Sequence, residues 1–248
     1  MAVLIEGHGG VMTLTFERPE KRNAVSEAMF RAMSEALVRA AADASVRVVL
    51  LRGAGGHFTS GLDLDDLQAA RTTDDAATPW SERFLRLAAS FPKPLVASVD
   101  GIAVGFGCTV LLLCDLVYAA EDCRFRTPFV PMGFVPEAGS TALLPRLAGH
   151  HAAAEVLLFG EQFGALQARA LGFVNEVLPA ADVHRRAEAR CRQLAAMRPE
   201  AVTAAKALLR AGSGIDLDRV IDRENAAFRS LLESAAEPVN VPAALAER

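Results

Sequence analysis

The 248-residue chain has no long apolar run, no basic run and only four cysteines, and each shortage removes a class of function. Hydrophobic residues make up 52% of it, yet they come in short pieces, none near the ~20 uninterrupted residues that span a bilayer. The N-terminal MAVLIEGHGG has neither the basic start nor the apolar stretch of a secretory signal, so the expected location is cytoplasmic, without membrane attachment. Lysine and arginine total 26 against 30 aspartates and glutamates, a formal charge of −4 with no positive stripe, which argues against a dedicated nucleic-acid binder. Cys108, Cys114, Cys123 and Cys191 lack the close pairing of a zinc site and the density of a disulfide scaffold. Buried free thiols are expected, and no metal.

What the chain does have is concentrated in residues 95–145. A β-type run at 95–99 breaks at Asp100-Gly101 and passes into an apolar segment headed by Gly105 and Gly107. A strand that turns through glycines into a helix leaves backbone N–H groups unpaired, and these can hold an anion or a developing oxyanion. The segment His57-Phe58-Thr59-Ser60-Gly61-Leu62-Asp63-Leu64 repeats that logic, so two such turns facing one pocket would supply two donors to one oxygen. Farther on, Glu137 is a lone carboxylate among apolar and small residues, Gly133-Phe134-Val135-Pro136-Glu137-Ala138-Gly139-Ser140. Desolvation penalises its charged form and should raise its pKa, which makes it the candidate base. The competing reading is a helix-start carboxylate meeting the dipole of a helix at 138–147.

Around this centre the chain reads as mixed α and β. Runs at 3–5 and 11–16 predict a hairpin; Ser26 caps a helix to about residue 42; the near-continuous aliphatic run at 46–51 predicts a parallel strand covered on both faces. Residues 71–79 predict a loop and 173–178 a short strand, with helices at 152–158, 165–171, 187–197, 202–209 and 217–232. The predicted organisation is a core over 1–190 and a helical subdomain over 191–248.

RPEKRNA, VRVVLLRGAGGHFTSGLDL, KPLVASVDGIAVGFG, CDLVYAAEDCRFRTPFVPMGFVPEAG and ALGFVNEVLP, in that order, together resemble the enoyl-CoA hydratase/isomerase (crotonase) superfamily. The resemblance implies an α/β fold, a spiral of ββα turns with a helical C-terminal trimerisation region, assembled as a homotrimer or a hexamer. It implies an acyl-CoA thioester as substrate and no separate cofactor. Carried over by position, the oxyanion donors are the N–H groups of Leu62 and Phe106, and substrate or CoA contacts fall to Arg22, Ala24, Ser60, Gly61, Leu62, Asp63, Leu64, Gly105 and Phe106. The two glutamates of hydrating members are replaced here by Thr109 and Phe129, neither of which is a general base. The pattern Thr127-Pro128-Phe129 with Val135-Pro136-Glu137-Ala138-Gly139-Ser140 is similar to peroxisomal-type Δ3,Δ2-enoyl-CoA isomerases, which use one acid at the position of Glu137. That implies double-bond migration rather than hydration. Ring isomerisation of aromatic-acid-derived thioesters, which uses the same acid, and non-catalytic acyl-CoA binding are the alternatives. Lys206 reads either as a contact to a neighbouring subunit's CoA phosphate or, more simply, as part of a solvated helix face.

Overall fold

A computed structural model describes residues 2–66 and 79–234. The loop expected at 71–79 therefore lies outside the described residues except for Pro79. The chain begins with the expected hairpin, β1 (Val3–His8) antiparallel to β2 (Val11–Phe16), followed by α1 (Glu27–Ala42), whose cap Ser26 accepts from the Met29 N–H. Next come β3 (Val48–Gly53), α2 (Trp80–Ser90), β4 (Leu95–Val99), β5 (Ile102–Val104) and the short α3 (Phe106–Thr109). They lead to β6 (Leu116–Ala120), β7 (Arg124–Arg126), α4 (Ser140–Ala148), α5 (His150–Ala154), β8 (Phe163–Gly164), α6 (Ala165–Ala170) and β9 (Glu176–Leu178). The described chain closes with α7 (Ala180–Ala195), α8 (Pro199–Ser213) and α9 (Leu217–Ser234).

The strands form two sheets. The larger runs β1-β2-β3-β4-β6-β9 and is parallel from β2 onward; the smaller runs β5-β7-β8. Successive turns of the chain give one strand to each sheet and then a helix, as in β4-β5-α3 and β6-β7-α4, which is the ββα spiral. β3 and β4 are buried almost throughout, with α7 packed against both; burial on both faces is why their sequences run continuously aliphatic instead of alternating.

Three expected boundaries move. The strand expected at 46–51 is shifted to Val48–Gly53, because Arg47 and Val48 still donate to Gly10 O at the mouth of the hairpin. The helix expected from residue 187 begins at Ala180, straight after Pro179, whose fixed φ suits a helix start. That helix spans the expected 190/191 boundary. Of the strand expected at 173–178 only Glu176–Leu178 pairs, since the Phe173 ring is committed to a cluster with Phe125 and Phe163 at centroid distances of 5.8 and 5.9 Å. All four cysteines are free, as expected; burial pushes the thiols of Cys108, Cys123 and Cys191 up to about 12.

Candidate active site

Thr59 joins the two glycine turns. Its N–H donates to Ile102 O at 3.0 Å and its carbonyl accepts from Val104 N–H at 3.0 Å, so the first turn lies along β5. Gly61, at φ 98°, follows; a Cβ there would stand 2.7 Å from Val104 O, closer than any side chain tolerates. On the other side, a Cβ on Gly107 would meet Thr59 Cγ2 at 2.5 Å. Both glycines are therefore required by close approach, and Gly61 by backbone geometry as well. The Thr59 hydroxyl, fully buried, accepts from Gly61 N–H at 3.0 Å and donates to Asn23 O at 2.6 Å.

These turns leave two amides over. Leu62 bridges Val25 through Gly61 O and the Asp63 N–H, which spares its own N–H. Phe106 is the first residue of α3, where an N–H has no intrahelical acceptor. Neither amide has a protein acceptor among the described residues. The Phe106 ring turns into the core, 4.8 Å from Phe30 and 5.8 Å from Phe84, centroid to centroid, so it fixes the backbone there instead of walling the pocket.

The RPEKRNA segment is tied to the first turn by Asn23, a residue the sequence reading passed over. Asn23 is fully buried at φ 58°; its Nδ2 donates to Ala54 O and His57 O at 2.8 and 2.6 Å, and its Oδ1 accepts from the Arg18 N–H at 2.9 Å. Ser60 N–H donates to Arg22 O at 2.9 Å, so Arg22, Ala24 and Ser60 to Leu64 form one cluster. Arg22 and Leu64 are exposed, Ala24 and Ser60 half-buried. Asp63 is a brace: burial works against its charge, but Arg18 at 2.8 Å, the Asp65 amide and Lys21 outweigh it and hold the carboxyl below its ordinary range. Its Oδ1 takes the Asp65 amide, the local capping role of such residues. Lys206 fits neither expected role. It is buried, with Nζ on the Asp115 carboxylate at 2.5 Å and Lys93 O at 2.6 Å, inside the fold rather than on a solvated face.

The loop that carries Glu137 starts against the second turn, where Phe129 Cζ lies 4.0 Å from the position of a Cβ on Gly105. Ala138 and Gly139 then take left-handed backbone, φ 63° and 72°, so α4 begins only at Ser140. For a residue with a Cβ that conformation costs about 1 kcal/mol, which the surrounding packing must hold. Glu137 Oε1 is buried and has no hydrogen-bond partner among the described residues. Burial, with the charge of Glu224 adding to it, pushes the Glu137 pKa up to about 8.

The helix-start alternative for Glu137 is overturned, because a second carboxylate already occupies the start of α4. Glu224 of α9, 6% exposed, accepts from Gly139 N–H at 2.7 Å, Thr141 N–H at 3.1 Å and the Thr141 hydroxyl at 2.6 Å. Sequence reading missed Glu224 because it lies 85 residues from Gly139. A signal was present: Ile221, Glu224 and Phe228 fall on one helical stripe, and an acid within an apolar stripe needs a buried partner. The same stripe stacks Phe228 on Phe134 at 4.8 Å, so α9 covers the Glu137 loop of its own chain. Thr109 and Phe129 are buried, and the Thr109 hydroxyl donates back into its own helix, to Gly105 O and Phe106 O at 3.3 Å. No group of three or more metal-ligating side chains occurs among the described residues.

The spiral, the laced turns and the isolated acid define the class, a crotonase-fold α/β protein. A family model described as enoyl-CoA hydratase/isomerase matches residues 6–240, and the chain belongs to that family of enzymes. The rat protein named enoyl-CoA delta isomerase 2 is 35% identical over 232 residues, covering 92% of this chain, while this chain spans only 59% of the rat protein. Two Escherichia coli proteins are each 34% identical and are 93% covered by this chain: 1,2-epoxyphenylacetyl-CoA isomerase over 244 residues and 2,3-dehydroadipyl-CoA hydratase over 242, each covering 96% of this chain. The solved structure of Pseudomonas aeruginosa OdaA superposes with a TM-score of 0.91 at 38% identity, covering 100% of this chain and 99% of that one. Among the described residues no helix is long and apolar enough to cross a membrane.

Proposed function

We propose that this enzyme moves a C=C bond along an acyl-CoA thioester, converting 3-enoyl-CoA to 2-enoyl-CoA. The observation that carries this reading is the single uncompensated acid. Glu137 has a buried oxygen with no partner among the described residues, whereas Thr109 and Phe129 stand where the family resemblance implies the two glutamates of hydrating members. One base suffices for migration of a double bond, while activating and holding a water takes more.

In this mechanism the thioester oxygen lies between the N–H groups of Leu62 and Phe106, in an oxyanion hole, with the CoA portion along Arg22, Ala24, Ser60, Gly61, Asp63, Leu64 and Gly105. Fixed amide dipoles stabilise the enolate as it forms and so acidify the C2 proton; losing one such donor typically costs about 3 kcal/mol of barrier. Glu137 removes the C2 proton, the electron pair passes through C2–C3 to C4, and the same carboxylic acid returns the proton at C4. Atoms and charge balance without a cofactor. A base with its pKa near 8 is matched to proton transfer near neutral pH. The assembly is a trimer or a pair of trimers.

A second reading, isomerisation of a ring-bearing acyl-CoA by the same acid, is favoured by one observation: this chain spans 93% of the 1,2-epoxyphenylacetyl-CoA isomerase but 59% of the rat delta isomerase. A panel of 3-enoyl, 2-enoyl and ring-bearing acyl-CoA thioesters decides between them. Conversion of 3-hexenoyl-CoA to the conjugated product, lost in Glu137→Gln, is the expected result. Enzymatic accumulation of 3-hydroxyacyl-CoA from 2-enoyl-CoA would overturn the exclusion of hydration.

A further inference from the structure

Two carboxylates, the buried Glu224 and the half-buried Glu137 with its Oε1 out of reach of water, lie at the start of α4, and only the first is satisfied. Glu224 reaches across from α9 and takes Gly139 N–H, Thr141 N–H and the Thr141 hydroxyl at 2.6–3.1 Å. Glu137 precedes those amides by two and four residues, and carboxylates two or three residues ahead of an amide are its usual local caps. Glu137 is thus the local competitor for the site, yet its Oε1 is left unpartnered.

We propose that Glu224 is a positioning residue for Glu137: by occupying the amides that open α4, it denies them to the neighbouring acid and keeps that acid unpaired and basic. The proposal rests on Glu137 being the base. A carboxylate that accepts backbone N–H bonds becomes a weak base, because those bonds stabilise its charged form. Glu224 prevents this and adds a like charge, while its helix seals the loop through Phe228 on Phe134. Docking of α9 is thereby coupled to the basicity of Glu137.

Among the described residues, the other charges on the packed elements leave this pair isolated. Arg86 of α2 pairs with Glu82, Asp218 and Asp222, and Arg229 pairs with Glu82. Arg223 on α9 and Arg146 on α4 are exposed, and Glu137 is the only ionisable side chain in the loop 127–139.

The test is an infrared titration of the protonated-carboxyl C=O band of the full chain without substrate. In the unsubstituted protein the band lost in Glu137→Gln should persist to about pH 8. In Glu224→Gln it should vanish at a pH lower by about one unit or more, since the like charge is removed and the carboxamide, with one acceptor oxygen, frees the amide that the second carboxylate oxygen held. Glu224→Asp, which keeps the charge but shortens the reach, should move it the same way by less, and carries the test where the glutamine variant does not fold. A midpoint unchanged in the folded variant, or an ordinary carboxylate midpoint in the unsubstituted protein, overturns the proposal. Turnover of 3-hexenoyl-CoA is measured separately, so absence of isomerase activity with the band shift intact would sink the functional reading alone.

Discussion

Replacing Glu137 with glutamine should change how the stability of the fold depends on pH, apart from any effect on turnover. In the unfolded chain this carboxyl titrates at its ordinary value of 4.5; in the fold, burial and Glu224 carry it to about 8. Its folded pKa is raised, so its contribution to stability is fully present below the unfolded value and is lost as pH rises through the folded one. Between these limits unfolding releases a proton, and the unfolding free energy falls by up to about 1.4 kcal/mol per pH unit, reaching a ceiling of about 5 kcal/mol above the folded value. Glutamine does not titrate and is free of this penalty. Urea unfolding of both proteins at pH 5, 6, 7 and 8 should show Glu137→Gln gaining on the original steadily across the series, by several kcal/mol at the top. Parallel curves would refute the reasoning, because they would mean that the carboxyl is solvated or paired in the folded state.

Two further substitutions probe the frame of the site. Thr59→Val keeps the shape against Gly107 but strands Gly61 N–H and Asn23 O, costing about 2 kcal/mol of stability by thermal or chemical unfolding and lowering kcat more than it raises KM. Thr59→Ser should recover most of kcat, and equal kinetics for valine and threonine would remove Thr59 from the scaffold of the donors. Lys206→Met should destabilise the fold by about 2 kcal/mol, because the Asp115 oxygen it leaves also holds the Leu95 N–H at 2.7 Å and is only partly exposed to water. Affinity for acyl-CoA should not change, as read by calorimetry; a loss of affinity would restore the phosphate-binding role.

Much of the frame was legible because local chemistry and tertiary environment agree there. The hairpin, the capped α1 and the buried parallel strands each have their own period or composition, and the glycines at 61, 105 and 107 sit where a strand must turn sharply into a helix. The competing reading of Glu137 failed for a different kind of reason. Proximity to a helix made a dipole partner the simpler account, but the carboxylate that fills that place arrives from α9. Lys206 was misread for the same reason, since a lysine on an amphipathic helix is ordinarily solvated and nothing local reveals that the Asp115 carboxylate holds it. Asn23 also escaped, because three of its four partners, Ala54, His57 and Thr59, lie more than thirty residues along the chain.

The sequence by itself determined the backbone requirements: which positions must be glycine, which strands are covered on both faces, and that a single acid stands among apolar residues. Such properties follow from dihedral preference and transfer free energy, which act residue by residue. Only the tertiary structure decided which polar groups are left unpaired. Pairing depends on partners brought together from distant parts of the chain: Glu224 arrives from α9 at the start of α4, and Glu137 Oε1 is left without a hydrogen bond among the described residues.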